Sequence, residues 1–342
     1  MHVLVLGATG LLGSHIVDLC VQNRDAVRVL VRKGSDCEYL KRYPHIEYSY
    51  GSLEDPISIL KAADGIDVVY HSAARVTDWG SRRQFMETNY KGTVNVVQSC
   101  RANGVKRLVY VSSPSVVFNY KDEVNINENQ PYPKKFANHY SESKALAEQF
   151  VIRNHDPGRI ETVVVRPHAI WGPRDKTGFL ARILAKIRAG KMIDLSGGKE
   201  VMVDMCYVLN AAHACVLAAI SKNAGGKIYF IADDAPTNAW QFFNQVAGRL
   251  GLDKIQRSVP PGLLTPIIAI IELVWNVPYL MENYPPPINR YSLGVLTNST
   301  TYNLSAAKKD LNYRPLVDIE TGIDNFVKWV DEIGGLDAYL NV

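Results

Sequence analysis

The sequence HVLVLGATGLLG, residues 2–13, sets out the beginning of the fold. An apolar run of strand length leads directly into Gly7, Gly10 and Gly13, and a helical pattern follows over Leu11–Gln22. In this context the first glycine turns the chain, the second lets the backbone approach a pyrophosphate, and the third lets the helix pack on the strand. Free N–H groups at the helix N-terminus favour phosphate. The stretch therefore predicts a strand, a phosphate-binding turn and a helix.

Short apolar runs and longer amphipathic segments alternate through the first half of the chain. Strands are predicted at 2–7, 26–31, 46–51, 67–74, 107–113 and 161–167, and helices at Leu11–Gln22, Asn89–Ala102 and Ser141–Arg153. Buried parallel strands with right-handed crossover helices produce this order. We therefore expect an α/β protein with a doubly wound parallel sheet (Rossmann), in which ligands bind beyond the carboxyl ends of the strands.

The pattern becomes looser after Trp171. The later predicted elements are a helix at 178–191, a strand that returns to the sheet at 226–233, a Pro-rich loop at 283–291 and a helix near 318–333. We expect two units. The first is a dinucleotide-binding domain (1–175 and 203–233), and the second is a smaller, interleaved C-terminal substrate lobe (176–202 and 234–342).

Composition excludes several classes of protein. The net charge of +4 comes from 38 basic and 34 acidic residues spread along the chain, which gives no basic stripe for nucleic acid. The five cysteines are scattered without a Cys-x-x-Cys pair and the eight histidines form no metal motif, so we expect buried cysteines, no disulfide and no metal. The N-terminus enters a strand-like run without a signal peptide, which predicts a cytoplasmic protein.

The second predicted strand ends in VLVRKGSD, residues 29–36. An NAD site commonly offers Asp or Glu here to the adenosine ribose, whereas this chain offers Arg32 and Lys33. A guanidinium suits the 2′-phosphate of NADP by charge and by bidentate geometry. The alternative is a solvated basic turn, with Asp36 as the acceptor for a ribose. We predict NADP(H) in preference to NAD.

Tyr140 and Lys144 lie four residues apart in the helical stretch HYSESKALAEQ, residues 139–149. They share a helix face, and an ammonium beside a phenol lowers the phenol pKa from its usual value of about 10. Proton transfer near neutral pH then becomes feasible. The fifth predicted strand ends in Ser112 and Ser113, at the edge of the sheet where a cofactor is expected. Each feature alone is common on surface helices and strand ends, and only their combination predicts chemistry.

Several stretches together resemble one family over essentially the whole chain. They are GATGLLG, HSAA after the fourth predicted strand, VSS after the fifth, YSESK at 140–144 and RPHAIWGP at 166–173. This set resembles the extended short-chain dehydrogenase/reductase family. Three later segments, 203–214, 263–281 and 284–316, are similar to the branch that holds three-beta-hydroxysteroid dehydrogenases, sterol-4-carboxylate dehydrogenases and bacterial 2-alkyl-3-oxoalkanoate reductases.

The resemblance implies roles for the matching residues. Tyr140 corresponds to the catalytic acid/base, Lys144 to the residue that holds the nicotinamide ribose and lowers the tyrosine pKa, and Ser113 to the residue that orients the substrate oxygen. The residues implied in cofactor binding are Gly7, Thr9, Gly10, Leu12, Gly13, Arg32, Lys33, Ser52, Leu53, Ala73, Ala74, Tyr140, Lys144, Pro167 and Ile170. Asn89 corresponds to a helix asparagine that steadies the sheet.

Two positions depart from the family pattern. Ser52 stands where an Asp often contacts the adenine amino group, which predicts looser adenine recognition with backbone contacts from Leu53. Arg32 stands where the steroid enzymes usually have Asp, which argues against their NAD preference and favours the reductase relatives.

These implications give an expected function. We expect an NADP(H)-dependent oxidoreductase that interconverts a ketone and a secondary alcohol on a hydrophobic 3-oxo or 3-hydroxy substrate, sterol-like or long-chain acyl. The alternatives are an NAD-dependent sugar-nucleotide epimerase or dehydratase, and a non-catalytic NADP-sensing module on the same fold. Arg32 and the apolar segment 263–281 weigh against the epimerase. The intact set of Ser113, Tyr140 and Lys144 weighs against the sensor.

The segment LLTPIIAIIELVWNVPYLM, residues 263–281, is strongly apolar. Pro266, Glu272 and Pro278 interrupt it, and a membrane-spanning helix needs about 20 apolar residues. We expect a core or substrate-pocket helix, and the alternative is an interfacial helix that associates the protein with a membrane. The family resemblance also implies a homodimer formed through paired helices.

Four other positions receive simpler interpretations. His71 and His168 are interpreted as satisfied polar residues, because a lone histidine after a strand is more often structural than catalytic. Trp79 either lines the substrate pocket or anchors its loop. Tyr291 is assigned to a rigid Pro-rich loop beside the pocket, without a chemical role.

Overall fold

The computed structural model describes residues 1–340. Its strands are β1 (His2–Leu6), β2 (Ala26–Val31), β3 (Glu47–Tyr50), β4 (Val68–His71), β5 (Arg107–Val111), β6 (Glu123–Ile126), β7 (Glu161–Pro167), β8 (Ile170–Trp171), β9 (Met202–Val203), β10 (Cys206–Tyr207), β11 (Ile228–Ile231), β12 (Thr237–Asn238) and β13 (Thr300–Tyr302). Seven of them form one parallel sheet in the order β11-β7-β5-β4-β1-β2-β3. The strand order reverses between β1 and β4. The expected doubly wound sheet is therefore confirmed.

Helices cover the sheet and build the rest of the molecule. They are α1 (Leu11–Gln22), α2 (Pro56–Ala62), α3 (Arg82–Phe85), α4 (Gly92–Ala102), α5 (His139–Arg153), α6 (Phe179–Arg188), α7 (Val208–Ile220), α8 (Ala239–Arg249), α9 (Pro261–Trp275), α10 (Pro278–Asn283), α11 (Arg290–Thr297), α12 (Ser305–Leu311), α13 (Ile319–Glu332) and α14 (Gly335–Leu340). Helix α1 packs against α7, whereas α4 packs against α2 and α5.

The central strands are buried on both faces, as crossover helices require. In β1, Val3 and Val5 join one apolar cluster with α1 and α7, while Leu4 and Leu6 join a second cluster with α2 and α4. Alternate side chains of a strand point to opposite faces, so each strand contributes to both clusters. This explains why the sequence shows near-continuous apolar runs instead of an alternating pattern.

One predicted helix begins earlier than its pattern indicated. The helical run expected from Asn89 already starts at Arg82, because the Ser81 N–H donates to Gln84 Oε1 (3.3 Å) at its N-terminus. Helices α3 and α4 are joined without a break by a π-helical turn over Met86–Lys91. The extra residue of this turn places Asn89 on the buried side of the run, facing α5.

A second apolar core lies apart from the main sheet. It is formed by α6, α8, α13 and α14 around Trp171, Phe242 and Phe326. Two small sheets accompany it, β10-β8 and β12-β9-β13-β6. Strand β11 returns to the edge of the main sheet beside β7, as the sequence predicts.

The two predicted units interleave beyond residue 300. Tyr302, Leu311 and Tyr313 pack into the cluster that holds β1 and α1, and the Tyr313 hydroxyl donates to the Ala232 carbonyl oxygen (2.9 Å). This part of the predicted substrate lobe therefore packs against the dinucleotide-binding domain. The residue boundaries of the two units stay a prediction.

The apolar segment 263–281 does not lie in the core, so the expectation of a core helix is wrong, whereas the expectation of a substrate-pocket helix stays a prediction. It forms α9 and α10 at the surface, and Ile268 is the buried residue of α9. The reason is that the helix packs on α11 along a single narrow side. Within residues 1–340, no helix has both the length and the apolar character that crossing a membrane demands.

Candidate active site

The turn between β1 and α1 leaves no room for side chains at two of its glycines. Gly7 has φ +89°, a left-handed conformation that favours glycine, and a Cβ there would lie 2.8 Å from the Ala73 nitrogen. A Cβ on Gly13 would lie 2.0 Å from the Gly7 carbonyl oxygen. Gly10 precedes α1 without a side-chain cap. The free N–H groups of α1 can therefore meet an anion closely, which fits the pyrophosphate of a dinucleotide.

Thr9 and Leu12, the other residues expected near the pyrophosphate, differ in exposure. Thr9 is exposed, so its hydroxyl is accessible to a ligand. The Leu12 side chain packs into the main core. Leu12 can therefore meet a phosphate only through its backbone N–H.

Ser72 links the carboxyl ends of β1 and β4, the two strands between which the strand order reverses. Its backbone N–H and its hydroxyl both donate to the Leu6 carbonyl oxygen, at 3.1 and 2.9 Å. These two hydrogen bonds join the ends of β1 and β4 and place Ala73 against Gly7. Ala74 follows and is partly buried. Both alanines thus lie beside the glycine turn, where the family resemblance expects them.

Arg32 and Lys33 follow the end of β2 and are exposed. Asp36, the alternative ribose acceptor, is already engaged. Its Oδ1 accepts the Glu38 N–H (3.0 Å), its Oδ2 lies 3.7 Å from Lys176 Nζ, and the backbone hydrogen bond lowers its pKa. The arrangement leaves the two cations accessible after the end of β2, where the sequence predicts contacts with an adenosine ribose.

The turn after β3 is fixed by its own backbone. The Ser52 carbonyl oxygen accepts the Asp55 N–H (3.2 Å) and the Ser58 hydroxyl (3.3 Å). Leu53 is buried and its carbonyl accepts Asn95 Nδ2 (2.9 Å). The Leu53 N–H group and the second lone pair of its carbonyl oxygen are the backbone groups through which Leu53 would contact an adenine.

Tyr140 lies in the first turn of α5, and Ser113 is the second residue after β5. The helix begins there because Asn138 Oδ1 accepts the Ser141 N–H (2.8 Å). Burial raises the pKa of Tyr140, and a hydrogen bond with Ser113 opposes this effect. Ser113 Oγ also accepts the Ser115 N–H (3.2 Å). The structure thus brings the predicted acid/base and the predicted substrate-orienting serine together at the carboxyl end of the sheet.

Lys144 is buried one turn further along α5. Its ammonium donates to the Val111 carbonyl oxygen (2.7 Å) and lies 4.2 Å from the centre of the Tyr110 ring. Burial lowers the pKa of Lys144 to about 7, and the charge of Glu148 opposes the shift. The expected lowering of the Tyr140 pKa by Lys144 is not found, because burial dominates at the phenol and the ammonium is directed at the strand end.

A buried ion pair stands behind Lys144. Arg166 donates through Nε to Glu148 Oε2 (3.0 Å) and through a second nitrogen to the other oxygen, and the side chains are 1% and 0% exposed. The Tyr132 hydroxyl also donates to Glu148. The carboxylate is therefore held one turn after Lys144, where its negative charge favours the ammonium.

Asn89 acts as a clamp, in agreement with its structural interpretation. Its Oδ1 accepts the Arg75 N–H (2.8 Å), and its Nδ2 donates to the Arg75 carbonyl (3.2 Å) and to Ser143 Oγ (3.0 Å). These bonds tie the loop after β4 to the helix that carries Tyr140. Asn89 thereby fixes the distance between the cofactor turn and the acid/base.

Pro167 and Ile170 end β7 and begin β8 on either side of His168. Pro167 is buried and Ile170 is partly buried beside Cys206 of β10. His168 Nδ1 is bonded to the Asp204 carbonyl oxygen, and its ring packs on Tyr302 with centroids 5.1 Å apart. Its place as a satisfied polar residue agrees with the sequence interpretation.

His71 is buried at the end of β4. Its Nε2 lies 3.0 Å from Thr93 Oγ1, and burial lowers its pKa to about 3. The imidazole is therefore neutral at physiological pH, which supports a structural role.

Comparison with known proteins agrees with this geometry. A model described as the 3-beta hydroxysteroid dehydrogenase/isomerase family matches residues 4–260, a span that includes the glycine turn, Ser113, Tyr140 and Lys144. The chain belongs to that family. The resemblance to the extended short-chain dehydrogenases and to this branch of them is thus confirmed.

Two relatives show which reactions the 3-beta hydroxysteroid dehydrogenase/isomerase family includes. The chain is 34% identical to a 2-alkyl-3-oxoalkanoate reductase from Shewanella oneidensis, over 94% of this chain and 84% of the relative. It is 30% identical to a decarboxylating sterol-4-alpha-carboxylate 3-dehydrogenase from Bos taurus, over 95% and 91%. The protein is therefore an NAD(P)-dependent oxidoreductase that acts on CH–OH groups.

Solved structures show the same fold. The UDP-glucose 4-epimerase from Thermotoga maritima has a TM-score of 0.76, with 21% identity over 97% of this chain and 99% of that chain. At this identity the similarity establishes the fold and not the reaction.

Tyr291 is a site residue that the sequence did not identify. It lies on α11, not in a loop, and its ring meets Phe118 edge-on with centroids 5.8 Å apart. Its phenol lies near Tyr140, and burial raises its pKa, so it stays protonated. No local signal marks this position, because Tyr291 lies 151 residues (291 − 140) after Tyr140 in the sequence, roughly the size of a domain.

Arg75 is a second residue that the sequence did not single out. It follows Ala74 directly, and its guanidinium lies 5.7 Å from the Phe85 ring, which in turn packs on Tyr140. Arg75 Nε is buried without a hydrogen-bond partner in residues 1–340. A cation in this position suits an anionic group of the cofactor or substrate. The sequence does contain a signal for Arg75, because this residue directly follows the HSAA motif at 71–74.

Proposed function

We propose that this family member is an NADP(H)-dependent enzyme that interconverts a ketone and a secondary alcohol on a hydrophobic 3-oxo or 3-hydroxy substrate. The observation that carries the proposal is the cluster at the carboxyl ends of β1, β4 and β5. There a partly buried phenol, Tyr140, is bonded to Ser113 and stands one helix turn before the buried Lys144. The glycine turn lies at the same edge of the sheet.

Tyr140, Ser113 and Lys144 would have different roles in proton transfer. Because burial raises the Tyr140 pKa, the phenol is protonated at neutral pH and can donate to a substrate oxygen. Ser113, bonded to the same phenol, would hold that oxygen at a fixed distance. Lys144 keeps two N–H groups free after its bond to Val111, and these can bind ribose hydroxyls and stabilise the phenolate that develops. When bound, the nicotinamide supplies or accepts the hydride.

The residues present fit such a dinucleotide. The turn packs tightly at Gly7 and Gly13, where a Cβ would meet the chain's own backbone, and α1 begins without a side-chain cap, so its first N–H groups are free for a pyrophosphate. The exposed Arg32 and Lys33 support a 2′-phosphate, while Asp36 is engaged in its own turn. These contacts support NADP(H) over NAD.

The named relatives support the substrate class. One acts on a 2-alkyl-3-oxoalkanoate and another on a sterol-4-alpha-carboxylate at position 3. The shared chemistry is an oxygen-bearing carbon in a hydrophobic molecule that carries a carboxylate. We propose a substrate of this kind, and Arg75 provides a cation near Tyr140 that would suit its carboxylate.

The test measures reduced nicotinamide with a panel of substrates. Purified protein and NADP⁺ are incubated with a 2-alkyl-3-hydroxyalkanoate, a 3β-hydroxysterol and UDP-glucose. We expect turnover with at least one of the first two, and a loss of about 10²–10⁴-fold in Tyr140→Phe with unchanged cofactor affinity. Full turnover in that variant would overturn the proposed role of Tyr140. Conversion of UDP-glucose without net reduction would identify the epimerase alternative, and cofactor binding without any turnover would identify the sensor.

A further inference from the structure

The two helices that carry Tyr140 and Tyr291 begin with the same four-residue pattern, Asn-x-Tyr-Ser, at 138–141 in α5 and at 289–292 in α11. In each helix the asparagine is the N-cap, and its Oδ1 accepts the backbone N–H of the serine three residues later, at 2.8 Å in both. The pattern itself marks only a capped helix start. It also means that the two tyrosines occupy the same position, the second after the cap, in their helices.

The side-chain amides of the two capping asparagines meet at one residue, Asp78. Asn138 Nδ2 donates to the Asp78 carbonyl oxygen (3.4 Å), and Asn289 Nδ2 donates to Asp78 Oδ2 (3.3 Å). Each asparagine thus uses its oxygen to begin a helix and its nitrogen to attach that helix to Asp78. Asn289 is 3% exposed, so water does not readily replace Asp78 as the acceptor. We call these three residues the Asp78 junction.

Asp78 also contacts α6, which belongs to the second apolar core. Its Oδ1 lies 3.2 Å from Arg182 Nη1. The Arg182 side chain is 56% exposed, and solvent screens an ion pair of this kind, so the pair contributes little to stability. The guanidinium compensates the charge of Asp78, whereas the amide hydrogen bonds determine where the two helices begin.

The loop between β4 and α3, which carries Asp78, is held at both ends. Asn89 makes two hydrogen bonds to the backbone of Arg75, at 2.8 and 3.2 Å. The Ser81 N–H donates to Gln84 Oε1 (3.3 Å) where α3 begins. Asp78 lies three residues from Arg75 and three from Ser81. Both helix starts are therefore attached to a stretch of chain that is itself fixed.

The Asp78 junction lies close to the two phenols. Burial raises the pKa of the Tyr291 phenol, and the nearby Tyr140 and Asp78 add to this effect. Because each tyrosine follows a cap that Asp78 holds, the separation of the two phenols depends on the junction. A substrate oxygen that meets Tyr140 must fit beside Tyr291, and a misplacement of about 1 Å can lower a rate by about 100-fold.

We propose that Asp78 is a positioning residue for the reaction, which holds Tyr140 and Tyr291 at a fixed separation by accepting the amide groups of both helix caps. It acts through Asn138 and Asn289. The inference rests on the proposed function, because it concerns the same site.

The experiment exchanges the donor and the acceptor of one hydrogen bond in the junction. Asn289→Asp keeps an oxygen to cap α11 but replaces the amide donor by a carboxylate that faces Asp78. The double variant Asp78→Asn/Asn289→Asp restores an amide and a carboxylate with their positions exchanged, and Asp78→Asn alone completes the cycle. The matched control is Asn127→Asp, at an exposed asparagine whose Oδ1 also accepts a backbone N–H, that of Asn129 (3.0 Å).

The kinetic measurement uses NADP⁺ with the 2-alkyl-3-hydroxyalkanoate or the 3β-hydroxysterol. We expect kcat/KM to fall about tenfold or more in Asn289→Asp with NADPH affinity unchanged, and the double variant to recover most of the loss. The control should equal the wild type. A folded Asn289→Asp with wild-type kcat/KM, or a double variant no better than that single variant, would overturn the positioning role.

Urea unfolding tests the junction without substrate. Asn289→Asp should lower the free energy of unfolding less in the Asp78→Asn background than in the wild type, because two carboxylates then no longer face each other. Equal losses in the two backgrounds would overturn the contact. A wild type that turns over neither substrate would overturn the proposed function instead, and the unfolding comparison would still decide whether the junction holds the two helices.

Discussion

The ammonium of Lys144 donates a hydrogen bond to the carbonyl oxygen of Val111, 2.7 Å away. This bond ties α5 to the last residue of β5, directly before Ser112 and Ser113. It fixes the lysine at the edge of the sheet without any ligand. The same burial that fixes it also lowers its pKa to about 7, so its charge depends on pH in the physiological range.

Cofactor affinity should therefore fall as pH rises above neutrality. In the free protein Lys144 is charged below a pH of about 7 and neutral above it. An anionic cofactor favours the ammonium, so it raises the lysine pKa and binding takes up a proton above that pH. The affinity for NADPH then falls by at most about tenfold per pH unit. Calorimetry in buffers with different ionisation enthalpies measures the uptake directly.

The control for this prediction is Lys144→Met, which lacks the titrating group. It should bind NADPH more weakly and lose the proton uptake. An uptake that survives in Lys144→Met, or an affinity that stays constant above neutral pH in the wild type, would assign the effect to another group.

Replacing Arg32 should separate the two nicotinamide cofactors. In Arg32→Ala we expect NADPH affinity to fall by about 10–100-fold, because a charge-assisted hydrogen bond to phosphate contributes about 1.5–3 kcal/mol. NADH affinity should change little. Arg159 is exposed just before β7, at the opposite edge of the sheet, and Arg159→Ala is the matched control. Nicotinamide fluorescence titration measures both cofactors, and tighter binding of NADH by the wild type would contradict the argument.

The sequence predicts the sheet and the cofactor turn well because their signals are local. The run before Gly7, the glycine spacing and the helix after it lie within about 20 residues and depend on backbone geometry alone. The shared helix face of Tyr140 and Lys144 follows from helix periodicity in the same way, whereas their expected roles come from the family resemblance. The homodimer and the residue roles are not tested by the fold and stay predictions.

The features that the sequence did not predict depend on contacts between distant parts of the chain. The apolar composition of 263–281 indicates that this segment is covered by something, yet it does not tell whether protein or another phase covers it. The positions of Arg75 and Tyr291 in the site depend on Phe85 and Phe118, aromatic residues that only the fold brings next to them. Burial also reverses the expected pKa shift of Tyr140, and burial is a property of the folded chain.

Breaking the buried ion pair of Glu148 and Arg166 should strongly lower the free energy of unfolding. In Glu148→Gln the guanidinium stays charged at 1% exposure without its carboxylate, so we expect a loss of about 3–5 kcal/mol in the free energy of unfolding. The control is Arg82→Gln, which breaks the exposed pair with Glu142 and should cost about 0–1 kcal/mol. Urea unfolding measures both. Equal losses in the free energy of unfolding in the two variants would show that burial does not determine the effect of breaking an ion pair.

Tyr291 should contribute to substrate handling and not to cofactor binding. Its phenol, kept protonated by burial, lies near Tyr140. Removing the hydroxyl in Tyr291→Phe keeps the ring against Phe118 and removes one donor available to the substrate, and a neutral hydrogen bond of this kind is worth about 1 kcal/mol. We expect kcat/KM to fall by about fivefold or more, with NADPH affinity unchanged. Tyr284→Phe is the matched control, because Tyr284 is 52% exposed beside α10 and should behave as the wild type. A Tyr291→Phe variant with wild-type kcat/KM would leave α11 as a wall of the site whose phenol plays no part in the reaction.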